Sequence, residues 1–451
     1  LITDFGFLNN GQPWPPEAER DRLDTYRQNR LLFEGKHDLV YRDALERMLR
    51  EDEALTLVMV LNWPKRIATL WADMLLGEPP TIVAGAKGSP EQVALERIMK
   101  DNDLLNVAYE VALDVPTCGT GIFKVRFDGQ RGIIESQPPE YWFPVVDSMN
   151  VKETWAHVLA WVVGERLVVE IHYRGFIEHR EYTYDDGEIG FLLYDPMVVE
   201  TGVDNFLIEP VHNLLTSNAV YGLNDFDDLG SIVSEIEARL AQIAKILDKH
   251  ADPSMYGSRM AMQQDPNTGK WHMPGGSKFW PVDDKVGRPG YVTWDGKLEA
   301  AFTQIEILMD QLYMLSETSP AAFGNIKQGL CESGSALKRL MIAPLAKVNR
   351  IRMRLDPALK RAIQTCAALE VAQGMEGAVE LNDVSIQWQD GLPDDDTELT
   401  QNMVARKPVG LVSTGSALKM LDGIDGEQLE LELKQIAAER QVVEELPKKE
   451  E

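Results

Sequence analysis

Apolar residues along this chain change period twice, and the changes divide it into regions. Residues 1–110 read as mainly helical. Arg20–Phe33 is charged and periodic, residues 38–50 predict another short helix, and residues 61–76 run to Gly77-Glu-Pro-Pro80. Two prolines cannot continue a helix, so that run stops there. Ser89-Pro-Glu-Gln opens the next helix, with Pro90 suited to its first turn. Residues 115–210 alternate with period two and are rich in Val, Ile, Tyr and Trp. Gly121-Ile-Phe-Lys-Val-Arg-Phe-Asp-Gly129 predicts a strand ending in an Asp-Gly turn. Residues 168–173, 181–184 and 190–194 predict further antiparallel strands.

Helical spacing returns near Asp225. Leu229, Ile232/Val233, Ile236, Leu240, Ile243 and Leu247 follow alternating steps of three and four, a seam for packing on another helix, which Asp252-Pro253 ends. Glu235 and Arg239 add an i,i+4 pair in the favourable order. Residues 297–317 repeat the seam with Leu298, Phe302, Ile305, Met309, Leu312 and Leu315. At 1.5 Å per residue each helix is roughly 30 Å long, and neither seam can stay in water. The pair is expected to pack together and against copies of itself, or to form two core helices of a monomeric domain. Between them, Asp265-Pro-Asn-Thr-Gly269, Pro274-Gly-Gly276 and Gly287-Arg-Pro-Gly290 predict short strands and turns over 254–295.

A glycine-punctuated apolar loop, residues 318–332, leads to Ser333-Gly-Ser-Ala-Leu-Lys338 and then to a long helical segment, residues 335–370. Ser333 or Ser335 can cap that helix, and Gly334 can permit the turn. Pro344 and Pro357 each remove a backbone donor and are expected to kink or divide it. Its charge is lopsided: Lys338, Arg339, Lys347, Arg350, Arg352, Arg354, Lys360 and Arg361 stand against Asp356 and Glu370. From about Gln373 the chain is acidic, including Asp394-Asp-Asp396 and Glu427, Glu430 and Glu432, with helices expected over 411–421 and Gly426–Glu445. The basic helix is expected to pair with this acidic region or with a neighbouring subunit. The fold class is α+β, mainly helical.

Composition sharpens the picture in a few places. At 451 residues the chain can bury a sizeable core. Its net charge of −27 disfavours a protein that coats nucleic acid through clustered cations, but permits a surface that nucleic acid slides past. Cys118, Cys331 and Cys366 have no CxxC spacing, so neither a disulfide framework nor a zinc knuckle is expected, and a reducing compartment fits. No apolar run is long enough for a transmembrane helix. The start, Leu1-Ile-Thr-Asp-Phe, has no signal-peptide pattern and lacks Met, as a partly represented chain would.

Catalytic and cofactor motifs are sparse. GxxxxGK[ST], HExxH and GxSxG are absent, no cofactor is expected, and Gly119-Thr-Gly121 suits a tight turn before a strand. Asp225, Asp227 and Asp228 could chelate a divalent ion, as in a metal-dependent nuclease or hydrolase, or could complement a helix dipole. The seven histidines include no i,i+4 pair, and His250 suits a helix C-terminus. Trp271, Trp280 and Trp294, interleaved with Lys270 and Lys278, suit single-strand stacking or packing of a small β tip. An oligomeric scaffold or adaptor would also use the helical seams.

Several segments together resemble a tailed-bacteriophage portal protein of the siphophage-type, Gp6-like branch. They are Asn62-Trp-Pro-Lys-Arg-Ile-Ala with Leu76-Gly-Glu-Pro-Pro80, and Cys118-Gly-Thr-Gly-Ile-Phe-Lys-Val with Pro138-Pro-Glu-Tyr-Trp-Phe-Pro-Val-Val-Asp147. To these are added a first stem helix ending Leu247-Asp-Lys-His-Ala-Asp-Pro253, and Ser333-Gly-Ser-Ala-Leu-Lys338 before a long helix. The resemblance covers about residues 25–440. It implies no enzyme but a homo-oligomeric ring, usually of twelve subunits, at one capsid vertex of the virion, assembled in the host cytoplasm.

The resemblance also implies a division of the chain: wing 1–225, stem helices 226–253 and 296–317, clip 254–295, tunnel loop 318–334, long wing helix 335–372, and crown with acidic tail 373–451. Double-stranded DNA would pass non-specifically through the ring, with Asn325, Ile326, Lys327 and Gln328 at the constriction. The terminase large subunit would dock on the clip, whose basic residues are Lys270, Lys278, Lys285 and Arg288. Head–tail adaptor, major capsid and scaffolding proteins are the other implied partners. Ile236, Leu240, Ile243, Leu247, Phe302, Ile305, Met309 and Leu312 would pack the stem, and Ser333, Gly334 and Ser335 would form the hinge.

Overall fold

The computed structural model describes residues 1–41, 59–251, 255–258, 263–264, 271–272, 279–282, 290–291, 298–325, 334–389, 396–424 and 426–445. They belong to two compact units, residues 1–318 with 344–390, and residues 319–343 with 391–451.

The first unit begins with α1 (Arg20–Phe33), α2 (His37–Val40) and α3 (Trp63–Leu76); α1 and α3 lie where the hydrophobic pattern put them, whereas most of the helix expected over 38–50 lies outside the described residues. Asn62 Oδ1 starts α3 by accepting from the Lys65 amide at 3.1 Å, with Pro64 in the first turn where no donor is missed. After strand β1 (Thr81–Val83), Ser89 caps α4 (Pro90–Asp101) by accepting from the Gln92 amide at 3.3 Å. Helix α5 (Leu104–Cys118) then runs four residues into the stretch that alternates in sequence. Pro116 lies in its last turn, where the bond a proline forfeits matters least. Gly119 ends the helix at φ +78°, a left-handed cap that favours glycine.

Two antiparallel sheets follow, built from β2 (Thr120–Phe127), β3 (Gly132–Ser136), β4 (Trp142–Val146), β5 (Thr154–Val163), β6 (Arg166–His172), β7 (Phe176–Asp185), β8 (Glu188–Leu192), β9 (Met197–Glu200) and β10 (Ile208–His212). One sheet has the order β10-β2-β3. The other runs β4-β5-β6-β7-β8, with β9 sharing the outer side of β7. Ile2, Leu8 and Trp14 of the N-terminal segment cover Phe143, Val158, Val169 and Ile171 on one sheet face. Ile122, Trp142, Leu159 and Ile208 form a second cluster joining the two sheets.

A long helix, α6 (Phe226–Ala251), ends where Asp252-Pro253 was expected to stop it. In the turn-rich insert the structure describes β11 (Met255–Ser258), β12 (Gln263–Gln264), β13 (Trp271–His272), β14 (Phe279–Val282) and β15 (Gly290–Tyr291). Strand β11 lies between β14, parallel to it, and β15, antiparallel, while β12 pairs with β13. Helix α7 (Glu299–Leu315) follows.

Next come α8 (Gly334–Leu340) and α9 (Ile342–Ala372). Pro344 has no N–H to give the Leu340 carbonyl, and the helix breaks at Met341. Pro357 does not divide α9, which stays continuous across it. Glu370 near its end is fully buried, accepting from Arg97 and from the Gly132 amide at 3.0 Å. A side chain on Gly132 would collide with Cys366, so glycine is required at that crossing. The strand β16 (Ser385–Gln387) pairs with β1, so residues just beyond α9 complete the first unit rather than the acidic region that follows.

In the second unit, α10 (Asp396–Arg406) went unnoticed in the sequence, whereas α11 (Thr414–Asp422) and α12 (Gly426–Glu445) stand close to their expected bounds. Ser413 caps α11 by accepting from the Ser416 amide at 3.0 Å, and α11 packs on α12.

Three histidines are enclosed between the sheets. His157 and His172 oppose each other across β5 and β6, and Trp142 donates its indole N–H to His157 Nδ1 at 3.0 Å. Burial, then the neighbouring His172, His212 and Arg174, hold His157 down to about 3. Burial with Arg354 and Lys152 nearby holds His212 down to about 4, and burial also lowers His172 despite Glu170 beside it. The unfolded chain binds these protons near pH 6.5, whereas the folded chain refuses those of His157 and His212 until below pH 5. Their contribution is therefore present above pH 6.5 and is lost as pH falls. Between pH 7.5 and pH 5, His157 and His212 should each cost ~2 kcal/mol of stability. Thermal unfolding at the two pH values checks this: the midpoint should drop at pH 5, and His157→Gln should flatten the dependence.

Candidate functional site

The junction between the sheets and the long helices is built from backbone groups that α5 leaves unpaired. The amide of Asp225 donates to the Pro116 carbonyl at 2.8 Å, and that of Asn213 to the Gly119 carbonyl at 2.9 Å. Gly119 and Gly222 meet backbone to backbone, each leaving no room for a Cβ on the other. These contacts bring residues 213–225 onto the end of α5 and place the start of α6. Asn224 Oδ1 then caps α6, accepting from the Phe226 and Asp227 amides at 2.9 Å each.

Asp225 is mostly covered at this junction, its side chain 10% exposed. It accepts from Asn213 Nδ2 at 2.7 Å and from Lys347 Nζ at 2.6 Å, and the ammonium lies 4.9 Å from the Trp71 ring centroid. Asp227 accepts from Asn224 Nδ2 at 2.8 Å, and Asp228 is exposed. The three aspartates thus have separate duties: one holds α9, and two lie in the first turn of a helix. Among the described residues no group of His, Cys, Asp and Glu could hold a metal ion.

Helices α6 and α7 pack against each other, and the seam is covered unevenly. Ile236, Ile243 and Leu312 are buried, while Leu240, Ile305 and Met309 are half-buried. Leu247 and Phe302 are about half open, at 52% and 49%, and Met314 and Leu315 are also exposed. Along α6 burial weakens toward the insert, whereas on α7 both ends of the seam stay open, at Phe302 and at Met314 and Leu315. Glu237 of α6 is buried against His37 (2.7 Å) and accepts from the Leu61 amide at 2.8 Å. Tyr313 of α7 meets Trp63 edge-on at 5.9 Å.

Beyond α7 the chain turns sharply. Glu317 takes φ +58°, unusual for a side-chain-bearing residue, and accepts from Arg350 Nη2 at 2.6 Å. Ser316 and Thr318 hydroxyls share a hydrogen bond of 2.7 Å. In the second unit, Ser319 Oγ accepts from the Ala322 amide at 3.4 Å to start a short turn, Pro320–Phe323. Asn325 is exposed, its amide donating to the Pro320 carbonyl at 3.0 Å. Ile326, Lys327 and Gln328 lie outside the described residues, as do Ser333 and the clip residues Lys270, Lys278, Lys285 and Arg288. Gly334 and Ser335 fall inside α8, so the turn expected of Gly334 does not lie there.

The basic face of α9 finds its acids in the first unit. Besides Lys347 and Arg350, Arg361 donates to Glu209 at 2.7 Å and Lys360 pairs with Asp356 at 2.7 Å. Arg352 donates to the Gln389 carbonyl at 2.7 Å and stacks on Trp388. Of these contacts, those of Arg352 reach the region beyond Gln373. Among the described residues, Lys347, Arg350 and Arg361 pair with Asp225, Glu317 and Glu209 of the first unit. Sequence inspection registered the excess of cations but missed Glu209 and Glu317, because their partners are far away in the chain.

The sequence model of phage portal proteins, SPP1 Gp6-like, matches residues 16–445, and the chain belongs to this family. The family is structural rather than enzymatic. Among solved structures, the chain is similar to one from the neck of an empty GTA particle computed with C6 symmetry, at 12% identity and a TM-score of 0.46, covering 80% of this chain and 89% of that one. It is similar to another from the virion of a native gene transfer agent particle, at 13% identity and a TM-score of 0.46, covering 92% and 96%. A chain from the neck of a native GTA particle computed with C12 symmetry matches at 12% identity and a TM-score of 0.41, covering 79% and 89%. No curated protein sequence matches the chain. No helix among the described residues is long and apolar enough to cross a membrane.

Removing one member of a buried ion pair strands the other. Asp225→Ala should therefore destabilise the protein by ~3–5 kcal/mol in urea denaturation. Asp227→Ala, at an exposed helix start, should stay within ~1 kcal/mol. A metal site would instead make the two variants lose divalent-ion binding alike.

Proposed function

We propose that this chain is the subunit of a ring, of about twelve copies in the manner the family resemblance implies, through which double-stranded DNA enters and leaves a phage capsid at one vertex. The observation that carries this reading is family membership over residues 16–445, a span that takes in every element of the conduit. The division into parts follows from it. Residues 1–225 with the long helix are the wing, and α6 and α7 are the stem. Residues 254–295 are the clip, 318–334 the tunnel loop and 373–451 the crown, whose first residues pair with the wing through β16.

The unevenly covered helix pair supports the reading. Leu247, Phe302 and Met314 remain open within one chain, and a neighbouring copy offers the surface to cover them. A repeated, non-self-complementary contact that closes on itself gives a ring. The net charge of −27 suits a channel wall that repels phosphates instead of binding them. The terminase large subunit would dock on the clip during packaging, and a head–tail adaptor would take that place afterwards. Major capsid and scaffolding proteins would surround the wing. The chain itself performs no catalysis; the motor is a separate protein.

Electron micrographs of the purified protein test this. Rings with a central hole are expected, and compact monomers or dimers would overturn it. Phe302→Glu combined with Met314→Glu should abolish rings while leaving circular dichroism unchanged, since neither side chain is part of the core.

For the tunnel loop we propose that Lys327 touches passing phosphates. One lysine per subunit gives weak, salt-screened contacts compatible with sliding. Lys327→Glu should leave rings intact and reduce the DNA content of particles. A normal genome content in that variant would refute the role.

A further inference from the structure

The strand β9 and the stretch before it break the usual rules for a sheet edge. Every residue from 191 to 200 is exposed, and seven of these ten are large apolar residues, at 191–194 and 197–199. Phe191 is 74% open and Val198 58%. Side chains on a strand alternate between faces, so four consecutive exposed residues mean that β9 is bare on both. Its inner side pairs with β7, from Phe176↔Glu200 to His179↔Met197. Among the described residues, no backbone group pairs with its outer side. The neighbouring β8 differs: Ile189 and Gly187 exchange backbone hydrogen bonds with residues 11–14 of the N-terminal segment. One part of this edge is therefore covered and the next is left open.

Natural proteins protect open edges with lysine, proline, bulges or a covering loop, because a bare apolar edge captures other strands. Here the charges lie around the patch and have one sign. Asp185, Asp186, Glu188, Asp195 and Glu200 have no ion-pair partner among the described residues, whereas the nearby Arg166 and Arg180 are paired with Glu181 and Glu178. An apolar edge ringed by unpaired acids favours an extended apolar segment carrying Lys or Arg. A second copy fits poorly. Antiparallel pairing of two β9 strands would bring the acid rims together in a protein already at −27.

We infer that the open edge at Met197–Glu200, with the apolar stretch before it, is a docking site where a cationic, apolar segment of another protein adds as a strand. Main-chain hydrogen bonds would hold the segment, the exposed apolar side chains would cover its own, and the acid rim would select its charge.

The probe is a fluorescein-labelled synthetic strand alternating valine and lysine, titrated by anisotropy against the full chain. Controls are a valine–glutamate twin and a valine–lysine strand N-methylated at alternate amides. The unmodified lysine strand should bind at least about tenfold more tightly than either control, a difference of ~1.4 kcal/mol. Val198→Pro, which disrupts the edge, should weaken it similarly with unchanged circular dichroism. Should that variant misfold, Met197→Lys combined with Val199→Lys keeps the backbone intact and should weaken the lysine strand while tightening the glutamate twin. Equal binding of the N-methylated strand, or undiminished binding by the edge variants, would mean charge attraction elsewhere and overturn the proposal. So would a change of oligomer size on substituting Val198, which would assign the edge to a second copy.

Discussion

The ion pair between Lys347 and Asp225 fixes how the long elements of this protein are joined. Taking an ammonium and a carboxylate out of water is costly, and these two recover the cost only by meeting at 2.6 Å with further partners around them. Asn213 satisfies the carboxylate, and the face of Trp71 lies under the ammonium. The pair brings together the start of α6, the second turn of α9, the loop at Asn213 and, through Trp71, helix α3. A different packing of any one of these would bury an unpaired charge. Register between distant segments is thereby enforced by a penalty for error more than by net attraction.

Around this point the first unit shows a consistent division between what one chain can satisfy and what it cannot. Inside the first unit, buried carboxylates are paired, as with Glu370 against Arg97 and Gly132, or Glu237 against His37. Along α6, coverage fades toward the insert, and on α7 Phe302, Met314 and Leu315 stay open. A two-helix seam covered only in places is an incomplete core. In the ring proposed above, copies of the same chain would complete it.

The sequence made the element types legible wherever a strong local signal existed. Asn62, Ser89 and Pro90 marked helix starts, Asp252-Pro253 marked a stop, and the seven-residue rhythm marked α6 and α7. It misled where a local rule was outweighed. Residues 115–118, read as the start of the alternating stretch, instead complete α5, with Pro116 in its last turn. Pro357 did not divide α9, whose buried face holds it together through Leu355, Ala358 and Leu359. The short strands β1 and β16 were invisible because neither has meaning without its partner some three hundred residues away. The cations of α9 were plain to see, but their partners could not be chosen by charge alone. The acidic C-terminal region outnumbers Asp225, Glu209 and Glu317, yet geometry selects these three.

The glycine contact at the base of α6 has a mechanical meaning. With Gly119 and Gly222 touching through their main chains, there is no side chain between them to rearrange. Asp225 and Glu237 grip the same end of the helix, whereas Leu247 near the other end is loosely covered. A 26-residue helix of about 39 Å, clamped at one end and lightly held at the other, is a cantilever. The tip of such a beam moves most and its root least. Displacement imposed at the insert would then be accommodated by flexing along α6, and the root would deliver it to the wing as torque about a fixed anchor.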